Sequence, residues 1–222
     1  MKVFLSLLIM VSVLFAMNIS ESMEDLRKKN ISELPEDNKD VKSYVEKLEK
    51  SGVNHPNEYV MLGITYEFGM PKAGINKNLK KALFYYNEAS KEGIVYASIR
   101  KSIILLDEKE YLKSENILDK VYFEKKQTIE EDKIIIVLSL NLAEINKKSL
   151  KKYFFLKEYA DKYNNAEAAL EIFFMKYYGK SGVERDLKEA ELYLNKACLS
   201  IEIKESTKSF CLNSNLIEKV NN

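Results

Sequence analysis

The sequence predicts an all-α chain, a solenoid built by stacking antiparallel helix pairs. Three observations predict it. A phrase occurs twice: residues 59–93 read YVMLGITYEFGMPKAGINKNLKKALFYYNEASKEG and residues 166–199 read AEAALEIFFMKYYGKSGVERDLKEAELYLNKACL. Each is a helix-period run, a glycine-punctuated loop and a second helix-period run, the mark of a repeat array in which each unit buries its apolar face against its neighbours. Between the copies apolar residues keep helical spacing, with no strand-like alternation. Seven Gly and three Pro in 222 residues, against 14 Tyr and 10 Phe, leave ample apolar mass for a core and little for disorder.

Met1 and Lys2 precede an apolar run of about 14 residues, VFLSLLIMVSVLFA, which is short for a membrane span and has the make-up of a signal peptide. Cleavage is expected after Ala16, which gives a signal peptide over 1–16, a linker over 17–39 and a single repeat domain over 40–222; an uncleaved anchor is the alternative. The expected location is the bacterial periplasm or the exterior.

Residues 40–50 read as a lone leading helix. In the next helix Tyr59, Leu62, Gly63 and Tyr66 fall at i, i+3, i+4 and i+7, on one face. Gly costs roughly 1 kcal/mol against Ala in a helix interior, so Gly63 predicts close approach by another backbone. Leu79, Ala82, Leu83, Tyr86 and Ala89 repeat the pattern in a partner helix, with Gly69 and Gly74 bracketing the connection. Four further helices fit 98–109, 111–123, 129–145 and 148–163, and a trailing one fits 208–220. The first helices of successive units then start near 57, 95, 130, 166 and 208, intervals of roughly 35 to 42 residues, as tetratricopeptide-type units require.

These residues resemble the Sel-like repeat, a close relative of the tetratricopeptide repeat. The first copy keeps Leu62-Gly63, Tyr66, Gly69, Gly74-Ile75, Lys81-Ala82, Tyr85-Tyr86, Glu88-Ala89 and Gly93. The second keeps Ala166-Glu167-Ala168, Gly179, Gly182-Val183, Asp186, Ala190, Tyr193 and Lys196-Ala197, but has Phe173 where a small residue is expected, Lys176 for the Tyr and Ile201 for the closing Gly. Its helix packing is therefore expected to be looser or shifted. The resemblance implies a right-handed α/α solenoid that binds a protein or peptide partner, here one in the cell envelope. By the same resemblance the outward positions of the first repeat helix are Asn57, Val60, Ile64, Glu67 and Phe68. In 129–145, an inward set of Ile135, Leu138, Ser139 and Leu142 turns Lys133, Ile136, Leu140 and Glu144 outward. Both outward sets either line a partner groove or pack on the adjacent repeat.

Cys198 and Cys211 are the chain's two cysteines. In an oxidising compartment a bridge between them is expected, clipping the end of one helix to the start of the next; two buried thiols are the alternative. Lys196-Ala197-Cys198 is similar to the K-A-C of the Helicobacter cysteine-rich proteins, a Sel-like family with paired cysteines at this junction, although that family has a pair in nearly every repeat and a shorter spacing. That resemblance raises an alternative function, β-lactam binding or hydrolysis. Ser98 with Lys101 and Ser149 with Lys152 have the S-x-x-K form, but the chain contains neither S-D-N nor K-T-G to position a substrate. The one histidine, His55, precedes Pro56 at a helix start and reads as a cap or surface residue. No catalytic set, metal-ligand spacing or phosphate-cradling loop is legible, so no enzyme activity, metal or cofactor is expected. With 35 basic and 34 acidic residues, no global field favours nucleic acid, and membrane contact is expected only through an uncleaved signal segment.

Overall fold

The computed structural model describes residues 39–180, 182–200 and 205–213, which form ten α-helices. They are α1 (Lys39–Ser51), α2 (Pro56–Phe68), α3 (Leu79–Lys91), α4 (Val95–Asp107), α5 (Tyr111–Glu124), α6 (Ile129–Ile145), α7 (Ser149–Tyr163), α8 (Ala166–Tyr178), α9 (Leu187–Cys198) and α10 (Glu205–Asn213). The fold class is all-α, with helices stacked in pairs. Among the described residues the extended pairing is one isolated bridge, Met70 to Ile75, in the loop between α2 and α3. The predicted signal segment, most of the linker and the tail beyond 213 lie outside the described residues.

Contacts gather the helices into two compact units that divide within α6, between Ile135 and Ile136. In the first, α2 and α3 run antiparallel. Asn78 N–H donates to Tyr66 C=O at 2.7 Å where the second helix begins, and the chain then returns until Tyr86 lies over Gly63. A Cβ on Gly63 would sit 2.5 Å from Tyr86 Cε1. The close approach that Gly63 permits is thus by an aromatic ring rather than by a backbone, which corrects the sequence expectation. Tyr86 is fully buried, in a core that also holds Val45 and Leu48 of α1, Leu62 of α2, Ala82 and Ala89 of α3, and Ala97 and Ile104 of α4.

Local chemistry sets the ends. Asn78 Oδ1 accepts from Lys81 N–H at 3.1 Å and so caps α3. Gly69 ends α2 at φ 75°, where a Cβ would lie 2.8 Å from Lys77 N, so both conformation and space demand glycine.

The second unit repeats the design with different side chains. α8 packs against α9, with α7 against α8. Asn165 caps α8 and Asp186 caps α9, the latter accepting from the N–H groups of Lys188 and Glu189 at 3.0 Å. Phe173 stands six residues before Gly179, as Gly63 stands six before Gly69. It does not loosen the pair. Phe173 is 1 % exposed, and at the position of Tyr86, four residues after the helix's Ala, the second copy has Leu194, itself fully buried. A small and a large residue in one copy correspond to a large and a medium one in the other, and all four positions are buried.

α6 departs from its predicted register. Ile135, Leu138, Ser139 and Leu142 are buried as expected, but so are Ile136 and Leu140, at 0 and 1 % exposure. A helix apolar on nearly every side is buried nearly all round, and two positions assigned to a groove belong to the core.

Candidate functional site

In each unit the helix preceding the repeat is fastened to it by a cluster of tyrosines and charges. In the first, Glu49 of α1 is the hub. Its Oε1 accepts from Tyr66 Oη of α2 at 2.7 Å, Lys81 Nζ of α3 at 2.8 Å and Tyr85 Oη of α3 at 2.8 Å, and Lys81 also donates to Tyr66 Oη at 3.0 Å. Tyr66 and Tyr85 stack with centroids 5.8 Å apart, and Lys81 Nζ lies 4.4 Å from the centre of the Tyr66 ring. Burial alone would raise the Glu49 carboxyl, but the hydrogen bonds from Lys81, Tyr66 and Tyr85 outweigh it and hold the group below its ordinary range. Beside the cluster opens a surface pocket of about 300 Å³, bounded by Lys42, Val45 and Glu46 of α1, by Tyr66 and Lys81, and by the loop from Gly74 to Asn78.

The second unit carries the same fastening with its charges exchanged. Lys81 and Glu189 each stand three residues after their helix cap, Asn78 and Asp186, and Tyr66 and Lys176 each stand three before their glycine. The acid now lies on the repeat and the base on the preceding helix. Glu189 Oε1 accepts from Lys157 Nζ of α7 at 3.0 Å and Tyr153 Oη of α7 at 2.6 Å, and Glu189 Oε2 pairs with Lys176 Nζ at 2.7 Å. Tyr193, the counterpart of Tyr85, bonds Asp161 of α7, and Lys196 pairs with the same carboxylate at 2.9 Å. Burial would raise the Glu189 carboxyl, yet the bonds from Lys176, Tyr153 and Lys157 and the Lys157 charge bring it down to about 2.

Comparison with known proteins agrees with this duplicated geometry. The Sel1 repeat family matches residues 59–94 and 166–200, the two α-hairpins just described. These two segments are Sel1 repeats. Its fold is similar to that of c5321, a protective antigen present in uropathogenic Escherichia coli strains that displays an SLR fold, at 18 % identity and a TM-score of 0.48 over 80 % of this chain. The chain spans 36 % of that structure's length. A search against curated proteins gave no match.

Between the first Sel1 repeat and α4 lies a buried ion pair that sequence reasoning missed. Glu67, 7 % exposed, accepts from Arg100 Nη2 and, at 3.2 Å, from Arg100 Nε, while Tyr86 Oη donates to Glu67 Oε2 at 2.7 Å. Arg100 is 1 % exposed, its guanidinium lies 5.5 Å from the centre of the Phe68 ring, and its Nη1 has no hydrogen-bond partner among the described residues. Glu67 is therefore no groove residue: its carboxylate points inward to a cation. Phe68 lies beneath that cation, and Val60 and Ile64 are half-buried against the first unit's core. Asn57 remains exposed. In α6, Lys133 and Glu144 are exposed, and Glu144 pairs with Lys152 Nζ at 2.6 Å.

The two S-x-x-K matches are engaged elsewhere. Ser98 is buried with its Oγ 3.0 Å from Ser90 Oγ, while Lys101 Nζ donates to Asn87 Oδ1 at 2.8 Å. Lys152, one turn beyond Ser149, lies between Glu144 and Glu171. His55 sits at the N-cap of α2, its backbone N–H donating to Glu58 Oε2 at 3.1 Å. Cys198 and Cys211 have Cα atoms 5.6 Å apart and sulfurs placed at bonding distance, a geometry fit for a disulfide between α9 and α10. Among the described residues no group of His, Cys, Asp or Glu is placed to hold a metal ion, and no helix is long and apolar enough to cross a membrane.

Proposed function

We propose that this chain is an exported scaffold that holds a protein or peptide partner in the cell envelope and performs no catalysis of its own. One observation carries the reading: in and beside the Sel1 repeats, charged residues able to do chemistry are engaged in fastening helix to helix. Glu49, Lys81, Lys157, Lys176 and Glu189 are bound to one another and to tyrosines, and the lysine of each S-x-x-K match is committed to a different side chain. Export draws support from the basic and apolar N-terminal sequence and from the disulfide-ready pair at Cys198 and Cys211, which suits an oxidising compartment.

The test is crosslinking of the tagged chain in intact cells, followed by fractionation and purification. Recovery of one specific crosslinked protein with the envelope fraction is expected, together with no turnover of a chromogenic cephalosporin above a denatured control. Recovery in the cytoplasm overturns export. Turnover that disappears in Ser98→Ala or Ser149→Ala overturns the scaffold reading.

A further inference from the structure

The two fastenings differ in how a space between the preceding helix and the repeat is filled. In the second unit Tyr153 of α7 fills it. Its hydroxyl donates to Glu189 Oε1 at 2.6 Å, and its ring lies 5.1 Å from Lys176 Nζ and 5.9 Å from Lys157 Nζ, so a phenol is held by one hydrogen bond and two cations. The register of the first unit follows from its ion pair. Glu49 meets Lys81 as Lys157 meets Glu189, so the residue four before Glu49 corresponds to the residue four before Lys157. Those residues are Val45 and Tyr153.

Valine is shorter than tyrosine, and Val45 lines the pocket of about 300 Å³ together with Glu49, Tyr66, Ile75 and Lys81. The surroundings suit the same kind of group. Val45 and Ile75 are apolar and Tyr66 is already stacked on Tyr85. Lys42 and Lys77 line the pocket. Lys81 Nζ uses two of its donors on Glu49 and Tyr66, and an ammonium carries three.

We infer that the pocket between α1 and the first Sel1 repeat is a binding site for a phenolic side chain, a tyrosine supplied by the partner, which enters where the second unit inserts its own Tyr153. The ring lies against Val45 and Ile75, and the hydroxyl accepts the remaining Lys81 N–H. Assigning the phenol to a partner protein rests on the scaffold reading. The chemistry of the pocket does not.

The experiment is an amide-resolved NMR titration of the purified chain with N-acetyl-tyrosinamide, and with N-acetyl-phenylalaninamide as the analogue lacking the hydroxyl. Saturable shifts are expected at Val45, Tyr66, Ile75 and Lys81, with the tyrosine probe bound about tenfold more tightly, the ratio one hydrogen bond of ordinary net strength gives. Val45→Tyr supplies the group internally and is expected to keep the helical spectrum while abolishing these shifts. The reciprocal Tyr153→Val is expected to create a second set of shifts around Lys176 and Glu189. Absence of saturable shifts near Lys81 in the unsubstituted chain overturns the site, as does undiminished binding by folded Val45→Tyr. Phenol binding without any crosslinked partner would leave the pocket standing and remove the scaffold reading. A partner retained in full by Val45→Tyr would show that it docks elsewhere and would overturn the assignment of the phenol to it.

Discussion

Gly63 shows how a single residue is legible in kind but not in cause. Its cost in a helix interior announces that something must come close, yet only the fold reveals the ring of Tyr86 as the neighbour, a residue on another helix. The expected outcome of Gly63→Ala follows from magnitudes. Alanine recovers roughly 1 kcal/mol of helix propensity, but its Cβ lands 2.5 Å from a ring in a fully buried position, an overpacking of the class that costs about 1–3 kcal/mol. Gly63→Ala should therefore lower the melting temperature followed by circular dichroism. The double substitution Gly63→Phe with Tyr86→Leu, which installs the residue types found at the corresponding positions 173 and 194, should melt above Gly63→Phe alone. A rise in melting temperature for Gly63→Ala would show that the ring yields freely and that the two copies are not alternative packings. Glu67 belongs to the same scale: in sequence it is one more helical glutamate, and no local signal marks it as buried. Its meaning comes from Arg100, thirty-three positions away.

At the scale of helices, the local code works well. Residues 129–145 are predicted and observed as one helix, and the unit starts expected near 57, 95 and 166 appear at Pro56, Val95 and Ala166. Periodicity, caps and glycines are near-neighbour properties, so they survive the absence of tertiary information. The polarity of each fastening does not, because Lys81 in one copy and Glu189 in the other are both ordinary charged residues on an amphipathic helix until the preceding helix is in place. The second fastening has a consequence in acid. The Glu189 carboxyl is brought from its ordinary 4.5 to about 2 in the folded chain, so it contributes stability that is complete above about pH 4.5 and is lost as pH falls toward 2. Urea unfolding at pH 7 and pH 3 should show a larger acid loss in the unsubstituted chain than in Glu189→Gln, which has no proton to take up. Equal losses would mean that Lys157 and Lys176 do not hold the carboxylate in solution.

For the whole molecule, the last repeat is where compartment and stability meet. A bridge between Cys198 and Cys211 closes a sequence separation of 13, a loop for which chain entropy gives about 3 kcal/mol. Cys198→Ala with Cys211→Ala should lower the unfolding free energy by about that amount under oxidising conditions and change little in reductant. Unreduced protein from the cell envelope should show no alkylatable thiol by mass spectrometry, whereas two alkylated cysteines would sink the bridge and weaken the case for export.

By itself the sequence determined that this chain is a helical repeat, where its helices start and stop, and that two hairpins are copies, because spacing, capping residues and glycines act within a few positions of one another. It could not decide what the side chains meet. Ile136 and Leu140 looked outward because α6 is apolar on more than one face, and a helical period cannot say which apolar faces are covered. The pairing of Glu49 with Lys81, its exchange at Lys157 and Glu189, and the inward turn of Glu67 were settled only when helices distant in sequence packed together. Burial and ion pairing depend on three-dimensional neighbours, and no local pattern in the chain encodes them.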